Sequence, residues 1–184
     1  MFEKVKYLPM TDQDPLQVLL QKCKESLRET IHEIKYPSAL HGSKAIKLWE
    51  LYTEEIDTLN AETLSSLSGR GGVYAIYVAK PNTDWSLKYV GQAKGTVLRQ
   101  RIRSHLVWRN KNTKSGKFTG SKFDDIQSHV SLGYDIALSF IEVIPESLRH
   151  YVEEMILARS HPQWNFHGTT LEGQNLSKTF CSIR

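Results

Sequence analysis

Two short segments constrain this chain more than any others. Gly72-Val73-Tyr74 opens a run to Ala79 with β-branched and aromatic residues on both faces, the pattern of a strand buried on two sides. Tyr89-Val90-Gly91 closes a second run that starts at Leu87, and Pro81-Asn82-Thr83-Asp84 between the two is a turn sequence. The tripeptides therefore fall on adjacent antiparallel strands. A helix is predicted over 96–108, with Leu98, Ile102 and Leu106 recurring every four residues toward the core and Arg101 and His105 four apart on one face. Much later a helix over 147–160 carries Glu153, and Pro162-Gln163-Trp164-Asn165 follows its end. One small sheet and its helices thus collect two phenols, a guanidinium, an imidazole and a carboxylate.

The rest of the chain surrounds that unit. Residues 12–60 read as helical. Leu16, Val18, Leu19, Leu20, Cys23, Leu27 and Ile31 form a stripe of period near 3.6, Thr11 or Asp12 is available as its cap, and Pro37 ends it. A second stripe runs through Ile46, Leu48, Trp49, Leu51, Tyr52, Ile56 and Leu59, with Ser43 placed to cap it. The Ser- and Gly-rich stretch 61–72 is a connection. After a polar loop over 109–120, a helix over 121–131 leads to a third strand over 134–143, and no internal repeat is present. The expected fold class is α+β (α/β): a small, mainly antiparallel three-stranded sheet flanked by helices. A helical extension over 1–70, a core over 71–168 and a polar tail over 169–184 are the expected divisions.

A chain of 184 residues is near the size of one domain and can bury a core. It has no apolar run near the length of a bilayer, and Met1-Phe2-Glu3-Lys4 lacks a signal-peptide pattern, so a soluble cytoplasmic protein without a membrane partner is expected. Cys23 and Cys181 are far apart with no C-x-x-C pair, which argues against a disulfide framework or a cysteine-based zinc site. His161, His167 and Cys181 match no zinc module in their spacing. The net charge of +4 is unevenly spread. Lys94, Arg99, Arg101, Arg103, Arg109, Lys111, Lys114, Lys117 and Lys122 fall in one stretch without Asp or Glu, leaving fifteen basic against twenty acidic residues elsewhere. A basic stripe on a mildly acidic body is the footprint of a polyanion-binding face, although charged runs also serve as solvated surface.

These motifs resemble the two defining strands of the GIY-YIG nuclease family, with valine in place of both isoleucines at buried β-branched positions. The family's Leu-x-x-Arg-x-x-x-His helix appears as Leu98, Arg101 and His105. Its glutamate helix and Pro-x-aromatic-Asn turn appear as Glu153 and Pro162-Gln163-Trp164-Asn165. Five pieces in the family's order span about a hundred residues. The resemblance implies a metal-dependent endonuclease acting on double-stranded DNA. Within the family the chain is similar to the small type II restriction enzymes, with phage or mobile-element nucleases sharing the same inventory. A non-catalytic DNA-binding module of the same fold is the alternative from another class.

Phosphodiester hydrolysis needs a positioned water, an acceptor for its proton, neutralised charge on the phosphate and a stabilised leaving oxygen. The resemblance makes Tyr74, Tyr89, Arg101, His105, Glu153 and Asn165 the catalytic set. Glu153 is the candidate metal ligand for one Mg²⁺ or Mn²⁺ per site, because carboxylate and water oxygens suit a hard ion. Glu154 is out of step with the turn by one residue. Arg101 would bind the scissile phosphate, and His105 would assist with the phosphate or with the nucleophile's proton. Tyr74 would contact the attacking water as general base, which requires a nearby cation to lower a phenol pKa of about 10. Asn165 would orient the glutamate or the strand ends, or serve only the turn; Tyr77 and Trp164 read as core. Lys94, Arg99, Arg103, Arg109, Lys111, Lys114, Lys117 and Lys122 are the expected DNA contacts. With one such set per chain, duplex cleavage requires two protomers, as a weak homodimer or one induced by DNA, or one protomer binding twice.

Overall fold

The computed structural model of the chain describes residues 3–6, 15–42, 44–109 and 122–165. In chain order the elements are β1 (Glu3–Lys6), α1 (Pro15–Glu29), β2 (His32–Ile34), α2 (Ala45–Leu48), α3 (Thr53–Leu59), α4 (Ala61–Ser65), β3 (Gly72–Ala79), β4 (Ser86–Ala93), α5 (Leu98–Leu106), α6 (Phe123–Ser131), β5 (Asp135–Ile144) and α7 (Arg149–Ser160). The three expected strands are β3, β4 and β5. β3 lies between the other two and runs antiparallel to both, in register with β5 from Gly72 opposite Glu142 to Ala79 opposite Asp135.

The sheet has five strands rather than the expected three. The outer edge of β5 is closed by two short strands, β1 parallel beside Ile141–Ile144 and β2 antiparallel beside Ile136–Leu138. The α+β class with a mainly antiparallel sheet stands, but the first seventy residues are not helical throughout. Strands of four and three residues are too short to display a period of two. The helical stripe expected to reach Pro37 ends at Glu29. The second stripe is broken into α2, a 3₁₀ turn over Trp49–Tyr52, and α3, and the expected connection contains α4.

Both faces of the sheet are covered. On one, Tyr74, Ile76, Val78, Leu138 and Phe140 pack against Leu98, Ile102 and Leu106 of α5, Ile126 and Val130 of α6, and Leu40, Trp49, Ile56 and Leu67 of the preceding segment. On the other, Val73, Ala75, Tyr77, Val90 and Ile141 meet Cys23 and Leu27 of α1 and Val152, Ile156 and Leu157 of α7. Each of the three α5 apolar side chains is at most 1% exposed, and burial of this kind contributes roughly 1.5–3 kcal/mol apiece. Residue 70 therefore marks no break in the core. The last carbonyls of α5, which have no partner inside the helix, are taken by that first segment: Tyr36 Oη donates to Leu106 O (3.0 Å) and Trp49 Nε1 to Val107 O (2.7 Å). Among the described residues no helix is long and apolar enough to cross a membrane.

Candidate functional site

Strand register brings the two tyrosines together. Tyr74 pairs with Gly91 across β3 and β4, and Tyr89, two residues from Gly91, projects from the same face. The ring of Tyr74 lies over Gly91. A Cβ at residue 91 would stand 2.7 Å from Tyr74 Cζ and Oη and 2.9 Å from Tyr89 Cε1, so the glycine of the second tripeptide is required by the phenol of the first. Gly72 is required by the backbone instead: its Cβ would meet the Ile141 carbonyl oxygen at 1.9 Å, and β3 could not approach β5. Beside Tyr89 the register slips, leaving Lys88 without a partner on β3.

α5 adds the imidazole. The rings of Tyr74, Tyr89 and His105 form a triangle with centroids 6.0, 5.9 and 5.5 Å apart. His105 Nε2 lies 3.0 Å from Tyr74 Oη, and Nδ1 accepts the backbone N–H of Lys122 at 3.3 Å. Burial, together with Arg101 and Lys122, pushes the His105 pKa down to about 3, so the ring is neutral near pH 7. With Nδ1 accepting, the proton resides on Nε2 and His105 donates to Tyr74. Burial, reinforced by Tyr89, holds Tyr74 well above its ordinary pKa against the pull of Arg101. Tyr74 is thus a neutral phenol whose own proton is turned away from His105.

Arg101 links this cluster to Glu153. Its guanidinium lies beside Tyr74 and Tyr89, and Tyr74 foremost raises its pKa against burial. Its charge also bears on Glu153, a half-buried residue of α7. Burial pushes Glu153 up to about 7; Arg101, Arg149 and the backbone N–H of Gln92 pull it down and Glu154 adds to the rise.

The two halves meet at the free edge of β4. Past α7, His161 adopts a left-handed conformation (φ 43°) and Pro162 turns the chain back toward the strand. Trp164 N–H donates to Lys88 O (2.8 Å), Val90 N–H to Asn165 Oδ1 (2.9 Å) and Asn165 Nδ2 to Val90 O (2.7 Å). Alternate residues of a strand turn their amides to the same edge, so Gln92 N–H points outward too, toward Glu153. Of the roles open to Asn165, it holds the strand; its contacts are with backbone, not with the ring cluster. Trp164 is buried and Tyr77 Oη donates to Leu27 O at 2.7 Å, both in the core.

Sequence reasoning missed Arg149 and Gln92. Arg149 is buried one turn before Glu153 and donates Nε to Gln92 Oε1 (2.7 Å) and a terminal nitrogen to Glu146 O (2.9 Å). Its spacing of four from Glu153 was the available signal.

The expected DNA-contacting cations divide. Lys94 and Arg99 are exposed, and Arg99 lines a groove of about 730 Å³ with Arg103, Gln100, Thr96 and Asp57. Arg103 is paired within the chain: its Nε contacts both oxygens of Asp57, at 2.8 and 3.0 Å. Arg109 is likewise paired, with Asp124. Carboxylates elsewhere in the chain, 46 and 15 residues away, account for both. Lys111, Lys114 and Lys117 lie outside the described residues. Lys122 is not on the basic loop's surface but beside the ring cluster, its Nζ 5.4 Å from the Tyr89 centroid.

Among the described residues no group of three or more His, Cys, Asp or Glu side chains could hold a metal by itself. The one carboxylate at the site still fits an ion such as Mg²⁺, which retains waters and takes further oxygens from a phosphate. Compared with known proteins, the chain matches no family model, no curated protein and no solved structure.

Proposed function

We propose that this protein is a metal-dependent DNA endonuclease, site-specific and of restriction type, acting in the cytoplasm. The observation that carries the reading is Arg101, a guanidinium beside Tyr74 and Tyr89 whose charge also bears on the Glu153 carboxylate. A phosphodiester bound by Arg101 would have within reach of that guanidinium a carboxylate for a cation and a phenol with an attached imidazole.

Arg101 binds non-bridging oxygens of the scissile phosphate, where a planar charged fork suits an oxygen pair. Glu153 would hold Mg²⁺ or Mn²⁺, one per site, which when bound supplies Lewis acidity to the phosphate and to a water. Tyr74 would act as base only as the phenolate: the phenol first gives up its own proton to solvent, and the phenolate oxygen then takes the proton of the attacking water. Its oxygen receives the His105 Nε2–H bond and lies beside Arg101, so both neighbours favour the phenolate once added positive charge overcomes the cost of burial. His105 is a donor to that oxygen rather than the first base, since Nδ1 is occupied and Nε2 carries the proton. Asn165 and Gln92 keep the edge of β4 in place.

One such set per chain cuts one strand per encounter, so a double-strand break requires two protomers, as a weak or DNA-induced dimer, or one protomer binding twice. The test incubates the protein with supercoiled plasmid in Mg²⁺, in Mn²⁺ and in EDTA. Metal-dependent nicking followed by discrete linear fragments is expected. Tight DNA binding without cleavage in either metal would favour a non-catalytic binding module. A DNA methyltransferase gene adjacent to this one would favour restriction over a phage or mobile-element role.

A further inference from the structure

Lys122 is an unusual choice for its position. It is the residue at the N-cap of α6, makes no side-chain cap hydrogen bond, and puts a cation at the end of the helix that favours anions. Nor does its side chain lie in solvent. It is 15% exposed, and its Nζ stands 5.4 Å from the Tyr89 ring centroid and 3.8 Å from Asp125 Oδ2. Asp125 is 43% exposed, so the pair could form equally well in water. The chain accepts an unfavourable cap and a partly desolvated ammonium, and in return a positive charge stands beside Tyr89 and His105. A local rule broken in this way is characteristic of functional positions. The backbone of the same residue fixes His105 through the Nδ1 bond. Arg101 and Lys122 are thereby the two cations that bear on His105.

On the phosphodiesterase reading above, we propose that Lys122 is a further catalytic cation of this site. Its ammonium rests on Asp125 in the absence of substrate and transfers to an oxygen of the reacting phosphate when DNA is bound, complementing Arg101. The role is electrostatic, and no proton or electron changes hands at Lys122.

The test uses the full chain and single-turnover cleavage of plasmid DNA in Mg²⁺, with DNA affinity in EDTA and melting temperature measured alongside. Lys122→Gln keeps the backbone bond to His105, so any loss belongs to the ammonium. Cleavage is expected to fall on the order of 10²-fold, as for removal of one group aimed at transition-state charge, with affinity changing less than about tenfold. Lys122→Arg should recover most of the rate. Asp125→Asn, which frees the ammonium, should cleave at least as fast as the parent protein. A Lys122→Gln protein within about threefold of the parent rate, or an Asp125→Asn protein that loses activity in step with it, would show a structural ion pair and overturn the assignment, leaving the nuclease reading intact. A parent protein that cuts no DNA in Mg²⁺ or Mn²⁺ overturns that reading and the Lys122 assignment with it.

Discussion

Burial biases both Glu153 and Tyr74 toward their neutral forms, against the pull of Arg101 on each. For Glu153 this carries a stability cost with a defined pH window. The unfolded carboxyl ionises near about 4.3, whereas the folded one is raised to about 7. Below the lower value both states are protonated and the cost is absent; it grows between the two values and is complete above the upper one. Glu153→Gln should therefore melt higher than the parent at pH 8, by roughly 2–4 °C for each kcal/mol relieved, and at the same temperature as the parent at pH 4. A gain of the same size at both pH values in thermal melts would contradict the folded-state shift. Tyr74→Phe removes the oxygen that receives His105 Nε2–H and leaves a buried donor unsatisfied, at about 1–3 kcal/mol. The variant should stay folded by circular dichroism and lose most of its cleavage; parent-like cutting would make Tyr74 a packing residue. At this scale the sequence was legible where partners are local: Arg101 and His105 share a helix face. Arg149 was legible only through its spacing of four from Glu153, because its hydrogen-bond partner Gln92 is 57 residues away.

β4 is the element on which the site depends. Its inner edge pairs with β3, and its outer edge is served by Trp164, Asn165 and Glu153, all from α7 or the turn after it. Asn165→Ala should release two hydrogen bonds and cost about 1–2 kcal/mol. Hydrogen exchange at the Val90 amide should accelerate, and cleavage should decline without vanishing, because the loss acts through strand placement. Unchanged Val90 exchange would show that the edge is held by something else. The three long strands were legible from their own patterns, and α5 from its apolar period. β1 and β2 were not, since strands this short take their identity from the exposed edge of β5. The break in the second helical stripe was hidden for a related reason: the 3₁₀ turn carries Trp49, whose indole caps the end of α5, 58 residues on.

Across the whole molecule, net basicity overstates the charge offered to a polyanion. Arg103 and Arg109 are bound to Asp57 and Asp124, whereas Arg99 is exposed. Sequence could mark the stretch as basic but not which cations fold onto carboxylates. Arg99→Gln should make the slope of log K against log salt for duplex DNA shallower by about 0.9, while Arg103→Gln should chiefly lower the melting temperature. Equal slopes for Arg99→Gln and the parent would mean that this side of α5 does not meet DNA. The central claim is that Glu153 and the Tyr74–Tyr89–Arg101–His105 cluster form one hydrolytic site. It is tested most directly by single-turnover plasmid cleavage in Mg²⁺ by Glu153→Ala, with DNA affinity measured in EDTA. The account predicts that cleavage disappears while affinity stays within about tenfold of the parent; cutting near the parent rate would contradict it.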